Sequence, residues 1–217
     1  MKIFAKLVSI LGLWFVRREW HELRDRLTQV YKSHRVDHTG SPSILAQQLL
    51  ISGEDHRFFD HYGIDIIAIC RAVWRGVVLQ RREGASTIEM QVVRVVSGRY
   101  ECTLRRKVRE MVLATLVTRE IPKGALPAVY LRLGYFGWRM NGFSAACRHI
   151  NHSPECLTPF ETARLVAQLK YPQPCETSPR RRAQIEVRAR HLLRLQGSHR
   201  QNRTYLGLNT RSPHAIV

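Results

Sequence analysis

The chain has 217 residues, enough for one domain with a sizeable core, and its 44% hydrophobic and 24% charged content excludes a disordered or collagen-like chain. A formal net charge of +18, carried mostly by arginine, points to an anionic partner such as nucleic acid, phospholipid headgroups or a phosphorylated substrate. The charge is uneven: residues 51–100 are close to neutral, and four acids crowd between Glu54 and Asp65.

The N-terminus, MKIFAKLVSILGLWFV, holds an uncharged and mostly apolar run from Leu7 to Val16. A helix from Ile3 to Val16 is about 21 Å long, short of the roughly 20 residues that a bilayer span needs. The adjoining RREWHELRDRL is charged and amphipathic and offers no small-x-small cleavage site, which argues against a cleaved signal peptide. A short uncleaved anchor, a helix lying in the membrane interface and a buried core helix all remain open. Cations on both sides of the segment do not favour export of the C-terminal part.

Helices joined by short loops are predicted from there on. Ser41 with Pro42 reads as the cap and first turn of a helix through ILAQQLL. Ile64 to Val78 is apolar at helical spacing. Ser86 with Glu89 has the capping-box pattern, and Thr103 caps a long helix to about Ile121. Thr158, Pro159 and Glu161 repeat the cap ahead of TARLVAQL. Ser178 and Pro179 open a last basic helix that Gly197 is expected to end. No alternating β-branched run appears, so strands should be scarce and the fold class mostly α. The expected organisation is an apolar, membrane-associated helix with a charged linker over residues 1–40, a main domain over 41–197 and a polar tail over 198–217. Five cysteines form no CxxC pair and are expected as buried or partly buried free thiols.

The acidic segment, residues 53–65, reads GEDHRFFDHYGID. Alone it is a helix end followed by a solvated turn. His56 and His61 lack the i, i+4 spacing that places two imidazoles on one helical face, so no metal site is expected. Two further segments come after it in order: REGASTIEMQVVR at residues 82–94 and LRRKVREMVLA at residues 104–114.

Together the three segments resemble the peptidoglycan glycosyltransferases of glycosyltransferase family 51. The family comprises monofunctional transglycosylases and the glycosyltransferase domains of bifunctional penicillin-binding proteins. Its ED-x-x-F-x-x-H-x-G motif is matched at Glu54, Asp55, Phe58, His61 and Gly63. Its G-G-S-T-I-T-Q-Q-x-V-K motif is matched at Gly84, Ser86, Thr87, Ile88, Gln91 and Val93. R-K-x-x-E is matched at Arg106, Lys107 and Glu110. PAVYLRLGYFG and LTPFETARLVAQLKYPQP are similar to two later motifs, so the resemblance runs from about residue 42 to about 195. The chain departs from the family at Ala85, Glu89, Met90, Arg94, Pro127, Ala128 and Arg132.

The resemblance implies a lysozyme-like helical glycosyltransferase domain that polymerises lipid II with inversion, releasing undecaprenyl pyrophosphate. It implies Glu54 as general base toward the acceptor hydroxyl and Asp55 as a neighbour that orients the loop. Arg106 and Lys107, one turn from Glu110, would neutralise the pyrophosphate, with Glu110, the second glutamate the family uses in catalysis, fixing their geometry or holding a divalent ion. Ser86, Thr87 and Gln91 would add polar contacts, and Arg57 and Arg94 further cations. No cofactor is required; a divalent cation, Mg or Mn, at the pyrophosphate is optional. The implied partners are lipid II, the growing glycan strand, an anionic membrane surface and a transpeptidase or other cell-wall synthesis protein. The implied location is the bacterial inner membrane, with the catalytic domain on its outer or periplasmic face. Two other readings stand beside this one: a non-catalytic relative that binds lipid II or a cell-wall partner, and a basic nucleic-acid-binding protein. The last lacks any zinc-finger or RRM-like signature.

Overall fold

The structure is a computed structural model that describes residues 2–36, 41–80, 84–202 and 204–208. It is mostly helical, as expected. The α-helices among the described residues are α1 (Lys2–Val36), α2 (Ile44–Glu54), α3 (Ile66–Val78), α4 (Ile88–Ser97), α5 (Leu104–Glu120), α6 (Leu126–Leu133), α7 (Phe143–His149), α8 (Pro159–Gln168) and α9 (Pro179–Gln201). Two short strands, β1 (Tyr135–Gly137) and β2 (Met140–Asn141), pair antiparallel.

The chain divides into two compact units, Met1–Lys32 with Arg57–Pro122, and Ser33–His56 with Lys123–Val217. In the first, α4 packs against α5, and Met90, Val92 and Val93 of the one and Leu113 and Val117 of the other are buried. α1 buries Val16, Leu23 and Leu27, which share one helical stripe. Gly12 leaves room for the Val112 side chain of α5, since a Cβ there would meet Val112 Cγ1 at 2.4 Å. Arg24 pairs with Glu120 at 2.9 Å, and Glu19 pairs with Arg109 at 2.6 Å and Arg99 at 3.4 Å. Val16, Leu23 and Leu27 of α1 therefore belong to the core of this unit. Most side chains of the expected anchor, Leu7 to Val16, lie outside the described residues, as does the end of the polar tail. No helix among the described residues is long and apolar enough to cross a membrane.

In the second unit, α2 sits among α6, α8 and α9, and Leu49, Leu50, Leu165, Ile185, Ala189 and Leu192 form the core. The hairpin is held to the segment after α8 by Trp138 N–H donating to Gln173 O at 2.8 Å and Gln173 N–H to Phe136 O at 3.0 Å.

The caps at Thr103, Thr158 and Ser178 form as predicted, the second with its reciprocal Glu161 bond. Three boundaries differ. Ser43, not Ser41, caps α2, because Pro42 holds the chain extended and Ser43 Oγ is the atom that reaches Ala46 N–H, at 3.2 Å. Thr87, not Ser86, caps α4, because Ser86 Oγ accepts from Lys107 Nζ instead. Helix α9 passes through Gly197 to Gln201: Gln196 bonds Gln48 at 2.8 Å and His199 bonds Ser52 at 3.0 Å, and these contacts outweigh the glycine. The thiols also depart from expectation. Cys147 is buried, whereas Cys70, Cys102, Cys156 and Cys175 are exposed, since they fall on loops and outward helix positions.

Candidate active site

In the second unit Glu54 ends α2, which terminates because Asp55 takes φ −157° and closes the last turn through its N–H to Ile51 O at 2.9 Å. Asp55 is buried, and the Glu54 side chain is 24% exposed. Arg188 of α9 donates through Nη2 to Gly53 O at 2.7 Å and to Glu54 Oε1 at 3.3 Å. A residue larger than glycine at 53 would crowd this approach, because its Cβ would lie 3.0 Å from Arg188 Nη2 and 2.4 Å from Leu192 Cδ2. Ser52, one turn back, bonds both Tyr205 and His199, and the His199 ring stacks on His56 at 5.8 Å.

In the first unit the rest of the acidic segment is a fastened loop. Phe58 is fully buried and meets Phe59 and His61 edge-on at 4.9 and 6.3 Å. Gly63 has φ +84° and lies so close to α5 that a Cβ would come within 2.5 Å of Ala114 O. Its carbonyl accepts the Thr87 hydroxyl at 2.8 Å. Thr87 also accepts from Met90 N–H, so this buried hydroxyl serves the fold. Arg57 is drawn to Asp65 at 3.0 Å, and Asp65 caps α3 through Ala68 N–H.

The same unit carries the cationic cluster. Glu110 is buried, with its side chain 3% exposed, and receives Arg94 in a forked pair: Nε to Oε1 at 2.9 Å and Nη2 to Oε2 at 3.1 Å. Arg106 Nη1 donates to the same Oε1. The Arg106 side chain is 14% exposed and that of Arg94 27%, so a buried carboxylate meets part-buried guanidinium groups. Lys107 Nζ donates to Ser86 Oγ at 2.8 Å. Burial lowers the Lys107 pKa; Glu110 opposes this, and Arg94 and Arg106 add to it. Gln91 is half-buried on α4. One carboxylate among three cations leaves an excess of positive charge. Beside the cluster a partly open cavity of about 160 Å³ is lined by Arg26, Arg99, Arg106 and Arg109, with Glu19, Glu22 and Glu110. The excess charge at Arg94, Arg106 and Lys107 suits an anion with several oxygens, whereas in the cavity Glu19 already pairs with Arg99 and Arg109.

The profile of the family described as Transglycosylase matches residues 21–196. The chain belongs to this family, the peptidoglycan glycosyltransferases of glycosyltransferase family 51. It is 34% identical over 158 residues to penicillin-binding protein 1A of Rickettsia felis, a stretch covering 70% of this chain and 20% of that protein. Penicillin-binding protein 1F of Bacillus subtilis is 34% identical over 128 residues, covering 58% and 18%. Penicillin-binding protein 1A of Neisseria flavescens is 35% identical over 133 residues, covering 60% and 16%. The chain thus spans about a fifth of the length of the relatives it matches.

Two participants escape sequence reasoning. Arg188 reads only as part of a basic helix face, yet it is the residue that holds Glu54, 134 positions away. Glu19 reads as one charge among many on α1, yet it bridges Arg99 and Arg109 at the cavity. No local spacing announces either contact.

Proposed function

We propose that this chain polymerises lipid II into glycan strands, with inversion at the donor anomeric carbon and release of undecaprenyl pyrophosphate. The observation that carries the reading is the buried Glu110 carboxylate bracketed by Arg94 and Arg106, with Lys107 on the same helix. A pyrophosphate leaving group needs neutralisation and no proton, so fixed cations lower the barrier most where charge develops. Arg94 stands where the family has lysine, and its fork allows the paired contact with Glu110 that an ammonium cannot make.

In this reading Glu54 removes the proton from the acceptor N-acetylglucosamine 4-hydroxyl as that oxygen attacks C1 of the donor N-acetylmuramic acid. The C1–O bond to the pyrophosphate breaks, and its electron pair stays on the phosphate oxygen. Arg188 fixes the Glu54 carboxylate, Asp55 closes the turn that aims it, and Ser86 and Gln91 add polar contacts near the cations. Both Glu110 oxygens already accept guanidinium donors, which does not suit a dication at that carboxylate. A Mg or Mn ion carried by the pyrophosphate itself is optional, and no step depends on it.

Residues 41–197 would form the lysozyme-like glycosyltransferase domain. It would act at the outer or periplasmic face of the bacterial inner membrane, alongside a transpeptidase or other cell-wall protein. The exposed Val73, Trp74 and Val77 of α3 and the basic surface support an interfacial position. The test is incubation of the purified protein with lipid II, with gel separation of the glycan strands. Ladders of strands support the proposal. Binding of lipid II with no strands and no released pyrophosphate would instead support a non-catalytic binding role.

A further inference from the structure

On α9, Arg180, Ala183, Gln184, Val187, Arg188 and His191 recur every three or four residues and share one face. Lys170 and Tyr171, just past α8, stand opposite them, and together they line an open groove of about 480 Å³. No carboxylate lines it among the described residues. The Arg181 guanidinium lies 5.8 Å from the centre of the Tyr171 ring. His191 registers the imbalance: burial lowers its pKa first, and Arg188, Arg194 and Lys170 lower it further. The groove has one more boundary that matters. Arg188, in its wall, is the residue that holds Glu54.

We propose that this groove binds a carboxylate-bearing peptide chain and that, on the lipid II reading on which this identification rests, the chain is the peptide stem of the acceptor. Three features select a peptide over a phosphate or a phospholipid headgroup. Its positive groups are strung out: Arg180 to Arg188 covers about 12 Å of helix axis, the reach of about four extended residues. A phosphate group would call for clustered donors. Tyr171, Ala183 and Val187 supply apolar contacts between the charges, as small aliphatic side chains require. The wall shared with Glu54 puts the groove beside the base that an acceptor sugar must reach.

The test uses the full-length chain, observing the His191 ring by NMR with His191→Gln as the assignment control. N-acetylmuramoyl pentapeptide with free carboxylates is expected to raise the His191 titration midpoint saturably. The same compound with amidated carboxylates should bind about tenfold more weakly or worse. A Lys170→Glu, Arg180→Glu double variant changes two exposed residues and should keep the parent melting temperature. It should lose at least about tenfold in peptide affinity and raise the KM for lipid II while kcat stays within about twofold. Equal binding of the amidated compound overturns the proposal. So does a His191 response to phosphatidylglycerol vesicles with none to the peptide. Glycan synthesis without any peptide effect on His191 refutes the groove and leaves the lipid II reading intact. Carboxylate-dependent binding in a protein that makes no glycan refutes the lipid II reading and leaves a peptide site.

Discussion

Arg188 Nη2 lies 3.3 Å from Glu54 Oε1 while donating, at 2.7 Å, to the carbonyl of Gly53. One guanidinium thus fixes both the backbone and the side chain of the last turn of α2, and Gly53 leaves it the space to do so. Arg188→Lys keeps the charge but loses the longer reach and the planar Nη2 that donates to both acceptors. Arg188→Ala is expected to cut glycan synthesis at least about tenfold at a stability cost of about 1–3 kcal/mol, the usual range for a lost charged hydrogen bond. Arg188→Lys should recover stability more fully than activity. The check is urea unfolding beside lipid II turnover per folded molecule; equal recovery of both would contradict a positioning role.

Removing Glu110 should unbalance its cluster. Glu110→Gln leaves Arg94 and Arg106 facing each other without a counter-charge. The full cost of breaking a buried pair is about 3–5 kcal/mol, and the partial exposure of the arginines reduces it to about 2 kcal/mol. Arg106→Ala should cost less stability, because Arg94 still satisfies the carboxylate, but should weaken donor use more. Thermal unfolding and donor KM measured on both variants decide this. A larger stability loss in Arg106→Ala would show that the cluster serves the fold first.

Lys107 gives a pH signature. Its pKa is lowered by burial, raised by Glu110 and lowered again by Arg94 and Arg106. As pH rises through this lowered value, a cation is lost, so kcat/KM should fall on an alkaline limb below the ordinary lysine range. Stability runs the other way in that window: the unfolded chain binds more protons there, so folding becomes more favourable as pH rises. Lys107→Arg should move the activity limb to higher pH. A limb unmoved by that change belongs to another group.

The thiols make a simple test of the packing. Burial first, and Glu155 next, push the Cys147 thiol up to about 11, while Arg148 opposes them. The other four cysteines are exposed. Alkylation of the native protein near pH 8 should label Cys70, Cys102, Cys156 and Cys175 and spare Cys147 until denaturant is added. Mass spectrometry of the digested protein reads this directly.

Much of the helical framework is legible in the residues because its signals are local. Thr103, Thr158 and Ser178 cap where a short polar side chain precedes a periodic run. Ser41, Ser86 and Gly197 mislead because a neighbour competes for each role: Ser43 is the better placed acceptor, Lys107 takes the Ser86 hydroxyl, and α2 holds α9 beyond its glycine. The site divides the same way. The Arg106, Lys107 and Glu110 cluster is readable from i, i+3 and i+4 spacing, whereas Arg94 reaches Glu110 across sixteen residues and Arg188 reaches Glu54 across 134. Thr87 and Arg57 read as anion donors in sequence; the folded loop adds contacts that sequence does not announce, the Thr87 hydroxyl donating to Gly63 O and Arg57 pairing with Asp65.

The central claim is that Glu54 is the base of a glycan-polymerising enzyme, and one comparison tests it most directly. Parent protein and Glu54→Gln, matched for melting temperature, are incubated with lipid II, and strands are separated on a gel. Glutamine keeps the shape and can still accept from Arg188, so the fold should hold while strand synthesis drops by the roughly 10²–10⁴ that a general base contributes. Strand synthesis by Glu54→Gln within about threefold of the parent would contradict the account.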